Sequence, residues 1–217
     1  MTVSVKQLID RADYQGLKSA LSANPQLANE GLPYDELNTT RAHPLHRICD
    51  GVFIGKYLDQ EGVEMARLFL EYGADVNGGE LIEKKDSPLI AASSLHADKI
   101  ALLYIENDAV INHAGTHGGT ALHWAAWCGR PLVVERLIQA QAEINRRCID
   151  FQSTPLFWAV HGLYSGNKQN MDSYLRCVSL LLEAGADKYI PNSGGKTVFD
   201  LVDEEDKALR ELLSLFI

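Results

Sequence analysis

Few residues in this chain stand at spacings that do chemistry. His113 and His117 are four apart, an interval that puts two metal ligands on one face of a helix. The pair falls in a hairpin, however, where that spacing does not bring both onto one helix face. Gly194-Gly195-Lys196-Thr197 has the ending of a phosphate-binding loop, but the glycine that must open such a loop would be at position 190, which is Ile190. Cys128 and His161 form the one thiol and imidazole pairing that invites a nucleophilic reading, and no third, orienting group accompanies them. Cys49, Cys128, Cys148 and Cys177 are widely spaced and contain no CxxC pair, which matches a reduced chain better than a disulfide framework or a zinc site. The residues therefore assign no catalytic group, no cofactor and no metal, and the chain does not read as an enzyme.

The elements around these residues explain their spacing. Gly118 to Asn145, GGTALHWAAWCGRPLVVERLIQAQAEIN, reads as a hairpin, a helix, a tight turn and a second helix. Thr120 is placed to cap the first helix with its hydroxyl, and Gly129 to close it with a positive φ. Pro131 opens the second helix, whose apolar stripe is Val133, Val134, Leu137 and Ile138. Two helices this short cannot bury both faces against each other, so the unit needs copies of itself. Thr120-Ala-Leu-His returns as Thr154-Pro-Leu-Phe 34 residues later, and Ser87-Pro-Leu-Ile stands 33 residues before it. His43-Pro-Leu-His and Lys196-Thr-Val-Phe extend the series. The second helices end on matching phrases at Gly73-Ala-Asp-Val-Asn, Asp108-Ala-Val-Ile-Asn, Gln141-Ala-Glu-Ile-Asn and Gly185-Ala-Asp-Lys-Tyr.

A period near 33 carrying both phrases resembles the ankyrin-repeat family over nearly the whole chain. The resemblance implies an all-α solenoid of stacked helix-turn-helix units joined by short β-hairpins, as one domain of about six repeats. The units are 1–31 as an N-terminal cap, 43–79, 87–114, 120–147, 154–190, and 196–217 as a C-terminal cap. Two repeats are long, with about ten extra residues near 51–62 and 162–171. These inserts lengthen helices and add a loop, or they extend a recognition surface through Tyr57 and Tyr164. The acidic run Asp203 to Asp206 falls where the last helix begins, a favourable place against the helix dipole.

The resemblance also implies a function. Ankyrin proteins bind partners through a concave face lined by their first helices and through the hairpin tips. His46 and His123 hold the place of the family's structural histidine. In the Thr120 helix, Leu122, Ala125 and Ala126 face the core, so Trp124 and Trp127 lie on the opposite side. Trp158 and His161 occupy the same two places one repeat on, each 34 residues later. These four residues are expected to form a contiguous aromatic patch that holds all 3 tryptophans of the chain. Either the patch meets a partner, or the rings pack on one another as core. Arg47 and Asp50, then Ala91 and Ser94, are the earlier equivalents, with Arg47 and Asp50 close enough to pair. The hairpin tips at 114–119, 148–153 and 191–196 are secondary candidates.

The expected partner is another protein. A net charge of −9 disfavours nucleic acid and anionic membrane, and no run approaches the length of a membrane span. A cytoplasmic monomer is the matching expectation. Two alternatives share the fold: a regulatory or inhibitory subunit of an enzyme, and a small-molecule-binding ankyrin protein.

Overall fold

The computed structural model describes residues 3–34, 40–165 and 170–215, and contains eleven α-helices among them. Parts of both end units (1–2 and 216–217) and of the second insert (166–169) lie outside the described residues. The chain divides into two compact units, Met1–Ile82 with Asp86–Val110 and Glu83–Lys85 with Ile111–Ile217.

The first unit holds three helix pairs: α1 (Val5–Asp10) with α2 (Tyr14–Ala23), α3 (Pro44–Phe53) with α4 (Asp59–Glu71), and α5 (Pro88–Ser94) with α6 (Asp98–Glu106). Ser4 and Gln7 form a capping box at α1, and Asp13 caps α2 by accepting the Gly16 N–H at 2.9 Å. Prolines open α3 and α5, where a missing N–H leaves nothing unsatisfied. The first helices make one row, α1 on α3 and α3 on α5, and the second helices make another, α2 on α4 and α4 on α6. Ile9, Leu17, Leu45, Ile48, Phe69 and Tyr104 fill the space between the rows. Tyr104 is fully buried and donates its hydroxyl to the Leu45 carbonyl at 2.8 Å.

The second unit repeats the plan with α7 (Ala121–Trp127) and α8 (Pro131–Gln139), α9 (Pro155–Ser165) and α10 (Met171–Glu183), and a single 3₁₀ turn (Val198–Asp200) before α11 (Lys207–Leu215). Here α7 packs on α9 and α8 on α10. Leu122, Ala125 and Ala126 are buried as the repeat phase requires, and Gly129 has φ 61°. Asp206 caps α11 by accepting the Leu209 N–H at 3.1 Å, which gives the acidic run a local structural role.

The linking hairpins are short. Among the described residues the one regular ladder is β1 (Leu32–Pro33) against β2 (Arg41–Ala42). In the second unit the hairpins are closed by Gly115 N–H to Gly119 O at 2.9 Å and Cys148 N–H to Ser153 O at 2.9 Å, with Gly118 N–H to Gly115 O and Gln152 N–H to Cys148 O inside them. Each is also tied to the next: the His117 carbonyl accepts from the Ile149 and Asp150 amides, and the Phe151 carbonyl accepts from Ser193. Asparagines at the ends of the repeat phrases add a second tie within both units. Asn29, Asn77, Asn112 and Asn145 each accept a backbone N–H of a later repeat, from Asp75, Val110, Glu143 and Asp187, at 2.7 to 3.0 Å.

The inserts resolve mainly into longer helices. In the long repeats α3 has 10 residues and α4 13, and α9 has 11 and α10 13, whereas α5 and α7 have 7 each and α6 and α8 have 9. Tyr57 is buried, not displayed: its ring lies where a Gly51 side chain would be, and its hydroxyl donates to the Ile48 carbonyl at 3.0 Å. Tyr164 is half-buried and donates to Asp206 at 3.0 Å.

Candidate partner-binding site

The aromatic site is built on the contact between α7 and α9. Two glycines permit its closeness. Gly162 lies within α9, and a Cβ there would stand 2.2 Å from the Trp127 carbonyl oxygen, so no other residue fits at this helix separation. Gly119, in the hairpin before α7, would place a Cβ 3.0 Å from the Trp158 ring and 3.4 Å from Trp124 Nε1.

With the helices this near, the four aromatic residues named from the repeat phase come together. Trp124 meets Trp158 edge to face, with centroids 5.2 Å apart and planes at 83°. Trp127 meets Trp158 at 5.9 Å and 71°, and stacks on His161 at 5.0 Å and 20°. Trp158 is the floor of the cluster, 6% exposed, with His123 beneath it at 5.2 Å. Trp124 and Trp127 are half-buried and His161 is exposed. Each edge-to-face pair contributes about 0.5–1.5 kcal/mol beyond the burial of its area. The cluster is thus partly core and partly surface, combining both readings of the tryptophans. Trp124 Nε1–H is buried without a hydrogen-bond acceptor among the described residues.

His123 sets the base of the site. Its Nδ1 accepts the Thr120 backbone N–H at 3.1 Å and its Nε2 donates to the Ser153 carbonyl at 3.2 Å, so one ring ties the α7 cap to the next hairpin. Burial pushes its pKa down to about 4, against the opposing pull of its backbone hydrogen bonds. The Thr120 hydroxyl lies 2.9 Å from His123 Nδ1, so this residue caps its helix in concert with the histidine.

The hairpin tips, candidates separate from the helices on sequence grounds, fold onto the same cluster. His117 reaches within 5.1 Å of Phe151 and 6.4 Å of Trp124, centroid to centroid. Its Nδ1 is 3.1 Å from Asp150 Oδ2, and the other oxygen of Asp150 accepts from Lys84 Nζ at 2.5 Å. This exposed triad holds Asp150 below the usual carboxylate range through Lys84 first and His117 second. Tips and helices together enclose a cavity of about 450 Å³ lined by the three tryptophans, His161, His117, Phe151, Ser153, Phe157 and Asn192. Of these, the helix phase anticipated the tryptophans and His161. His117, Phe151, Ser153 and Asn192 fall in the hairpin ranges, and Phe157 is the lining residue that neither the helix phase nor the hairpin ranges point to.

Arg47 and Asp50 sit at the equivalent places of α3 and are treated differently. Arg47 is 4% exposed, so the structure buries it rather than presenting it to a partner. Its guanidinium donates to both oxygens of Asp10, at 3.0 and 3.3 Å, and lies 3.7 Å from Asp50, under the Tyr34 ring. Lys56 and Lys6 complete a cage around Asp10 at 3.0 and 2.9 Å. Burial raises the pKa of Asp10, but Lys6, Lys56 and Arg47 outweigh it and hold the carboxyl below its ordinary value. Asp50 is shifted up instead, because its burial exceeds the help from His46 and Arg47. Further along the row, Ala91 is buried, and the half-buried Ser94 donates its hydroxyl to the Ala91 carbonyl at 3.2 Å.

The residues first considered for chemistry have structural partners. His113 Nε2 lies 2.7 Å from the Lys85 carbonyl, and the Gly194–Lys196 turn is closed on Asn192, whose Oδ1 accepts from Gly194 and Lys196 at 2.9 Å. Among the described residues no cluster of three His, Cys, Asp or Glu side chains is placed to hold a metal, and no helix is long and apolar enough to cross a membrane.

Comparison with known families agrees with the repeat plan. A model of ankyrin repeats in three copies matches residues 57–148, and a model of the single ankyrin repeat matches residues 152–193. Together the matches span well over half of the chain.

Proposed function

The chain belongs to the ankyrin-repeat family, whose members are generally non-catalytic protein–protein interaction modules, and from that premise we propose that it binds a protein partner through the aromatic site between α7, α9 and their hairpins. The observation that carries this reading is the half-exposed indole cluster opening on a cavity of about 450 Å³. Tryptophan that is neither fully buried nor scattered is the side chain most enriched at binding hot spots. The site is also preorganised: Gly162 fixes the helix separation, and His123 fixes the hairpin, so a partner need not pay to order it. Arg47 has little surface to offer, and Asp50 beside it is half-buried in the same ion network, so recognition is assigned to the second unit.

The test compares capture of a protein partner by the wild-type chain, by a Trp127→Ala, His161→Ala variant and by Leu132→Ala, which removes an exposed apolar side chain at the start of α8. Trp158 is left intact because it is buried. A protein retained by the wild type and Leu132→Ala but lost by the double variant, at matched melting temperature, supports the assignment. A partner set unchanged by the double variant overturns it. If the captured protein is an enzyme, its turnover with and without this chain distinguishes a regulatory subunit from a neutral binder.

A further inference from the structure

The lining of the aromatic cavity narrows the chemistry of what enters it, if the recognition reading above holds. Its volume of about 450 Å³ lies within the roughly 300–1,000 Å³ over which pockets enclose small organic groups. Among the described residues no Lys, Arg, Asp or Glu side chain lines it. Asp150 neighbours the lining residue Phe151, but its two oxygens are already engaged by Lys84 and His117. A cation placed in the cavity would shed its water with no carboxylate to replace it. Nor do the indoles offer a slot for one. Trp124 and Trp127 each touch Trp158 edge to face at 5.2 and 5.9 Å, and His161 already covers Trp127 by stacking at 5.0 Å, so no cation is sandwiched between open ring faces. An anion would lie against the electron-rich faces of the rings. What remains is a neutral group, and the lining rings continue best with another ring, which can add an edge-to-face contact where an aliphatic chain adds area alone.

We infer that the cavity takes a neutral aromatic side chain, Phe, Tyr or Trp, presented by a segment of the partner protein. Phe151, 47% exposed at the rim, and His161, exposed on α9, are the groups such a ring meets first. The buried Trp158 is the floor it reaches.

The indole N–H resonances of the three tryptophans of the full ¹⁵N-labelled chain test this directly, because every one belongs to the site. The probes are N-acetyl-L-tryptophanamide, N-acetyl-L-phenylalaninamide, N-acetyl-L-leucinamide and N-acetyl-L-lysinamide. The aromatic amides are expected to shift the indole signals saturably, at about tenfold lower concentration than the leucine and lysine amides. The Trp127→Ala, His161→Ala variant, retaining the Trp124 and Trp158 signals, is expected to need about fivefold more of the aromatic probe. A lysine or leucine amide that matches the aromatic ones overturns the inference, as does an aromatic titration that stays linear to the solubility limit. Partner capture that depends on Trp127 and His161 while the aromatic amides fail to saturate sinks this inference alone. Saturation by the aromatic amides with capture indifferent to those residues sinks the recognition reading and leaves the preference of the cavity standing.

Discussion

Equivalent positions of two first helices hold Arg47 and Asp50 in one unit and Trp124 and Trp127 in the other. The charged pair is drawn inward. Arg47 finds Asp10 on α1, and three cations then close around that carboxylate. The aromatic pair remains half outside, because Trp158 meets only one side of each ring, and the groups on the other side, His161 stacked on Trp127 and His117 beside Trp124, are themselves at least partly exposed. A charge in a low-dielectric setting is costly until it is paired, so it recruits every available counter-ion and consumes its own surface. An indole edge or face tolerates partial exposure and stays available. The repeat position most suggestive of electrostatic recognition is therefore the more structural of the two.

The comparison breaks most severely at Gly162. A Gly162→Ala substitution drives a methyl group into the Trp127 backbone carbonyl, 2.2 Å away, and α9 must move off α7. The expected loss is more than about 3 kcal/mol, since backbone rather than a flexible side-chain end must yield. Thermal unfolding should show the loss, and tryptophan emission should shift red in the protein that still folds. Unchanged stability with unchanged emission would mean that the α7–α9 separation does not depend on this glycine.

Acid should strain the second unit through His123. Its pKa is about 4 in the fold against an unperturbed value near 6.5. The unfolded chain then binds the extra proton between those values, so stability falls as pH drops from about 6.5 toward 4 and levels off below. The loss is on the order of 3 kcal/mol for a fully buried imidazole with this shift. His43 adds the same sign in the first unit, also pushed down to about 4 by burial, while its ring holds the Leu45 N–H and Asn29. Denaturant titrations at pH 7 and pH 4.5 check the sum, and His123→Gln should flatten the slope. A His123→Gln protein with the wild-type pH slope would remove this histidine from the account.

Asp10→Asn sharpens the charged side of the comparison. It leaves Arg47 buried beside Lys6 and Lys56 with Asp50 as its remaining carboxylate, at 3.7 Å. We expect a loss of about 2 kcal/mol, below the 3–5 kcal/mol of a fully buried pair because Asp10 and Lys56 retain some solvent. Arg47→Met in the same background should recover part of it, by removing the stranded cation while filling its space. A double variant less stable than Asp10→Asn would show that Arg47 acts by packing rather than by charge.

These residues also mark how far the sequence could be read. The spacing of 34 between Trp124 and Trp158, and between Trp127 and His161, was enough to place all four on one face, because stacked repeats keep helix phase. The burial of Arg47 was not legible, since its partner Asp10 lies 37 residues away in a degenerate first repeat without the family phrases. In sequence Gly162 stands at the start of an insert. Its helix runs on to Ser165, and an isolated glycine in an apolar stretch was the available sign of a close helix contact. Tyr57 looked like a surface aromatic until Gly51 made room for it. The merging of hairpin tips with the helix face depended on His117 and Phe151 folding over Trp124, which no one-dimensional period encodes.

The smallest expected effect lies at the turns that close the second helices. The residue there has positive φ after α4, α6, α8 and α10, as glycine at Gly73 (82°) and Gly185 (88°) but as Asp108 (63°) and Gln141 (62°) elsewhere. A side chain in this region carries strain that glycine does not, although glycine loses more freedom on folding. The two nearly offset, and Gln141→Gly should stabilise the second unit by about 0.5 kcal/mol. Asp108→Gly should do the same in the first. The pair of variants asks whether the units share backbone rules while differing in what their first helices carry. Gains of one sign in both would place the difference between the units in side chains alone, and opposite signs would show that the aromatic unit also depends on the stiffness of its turns.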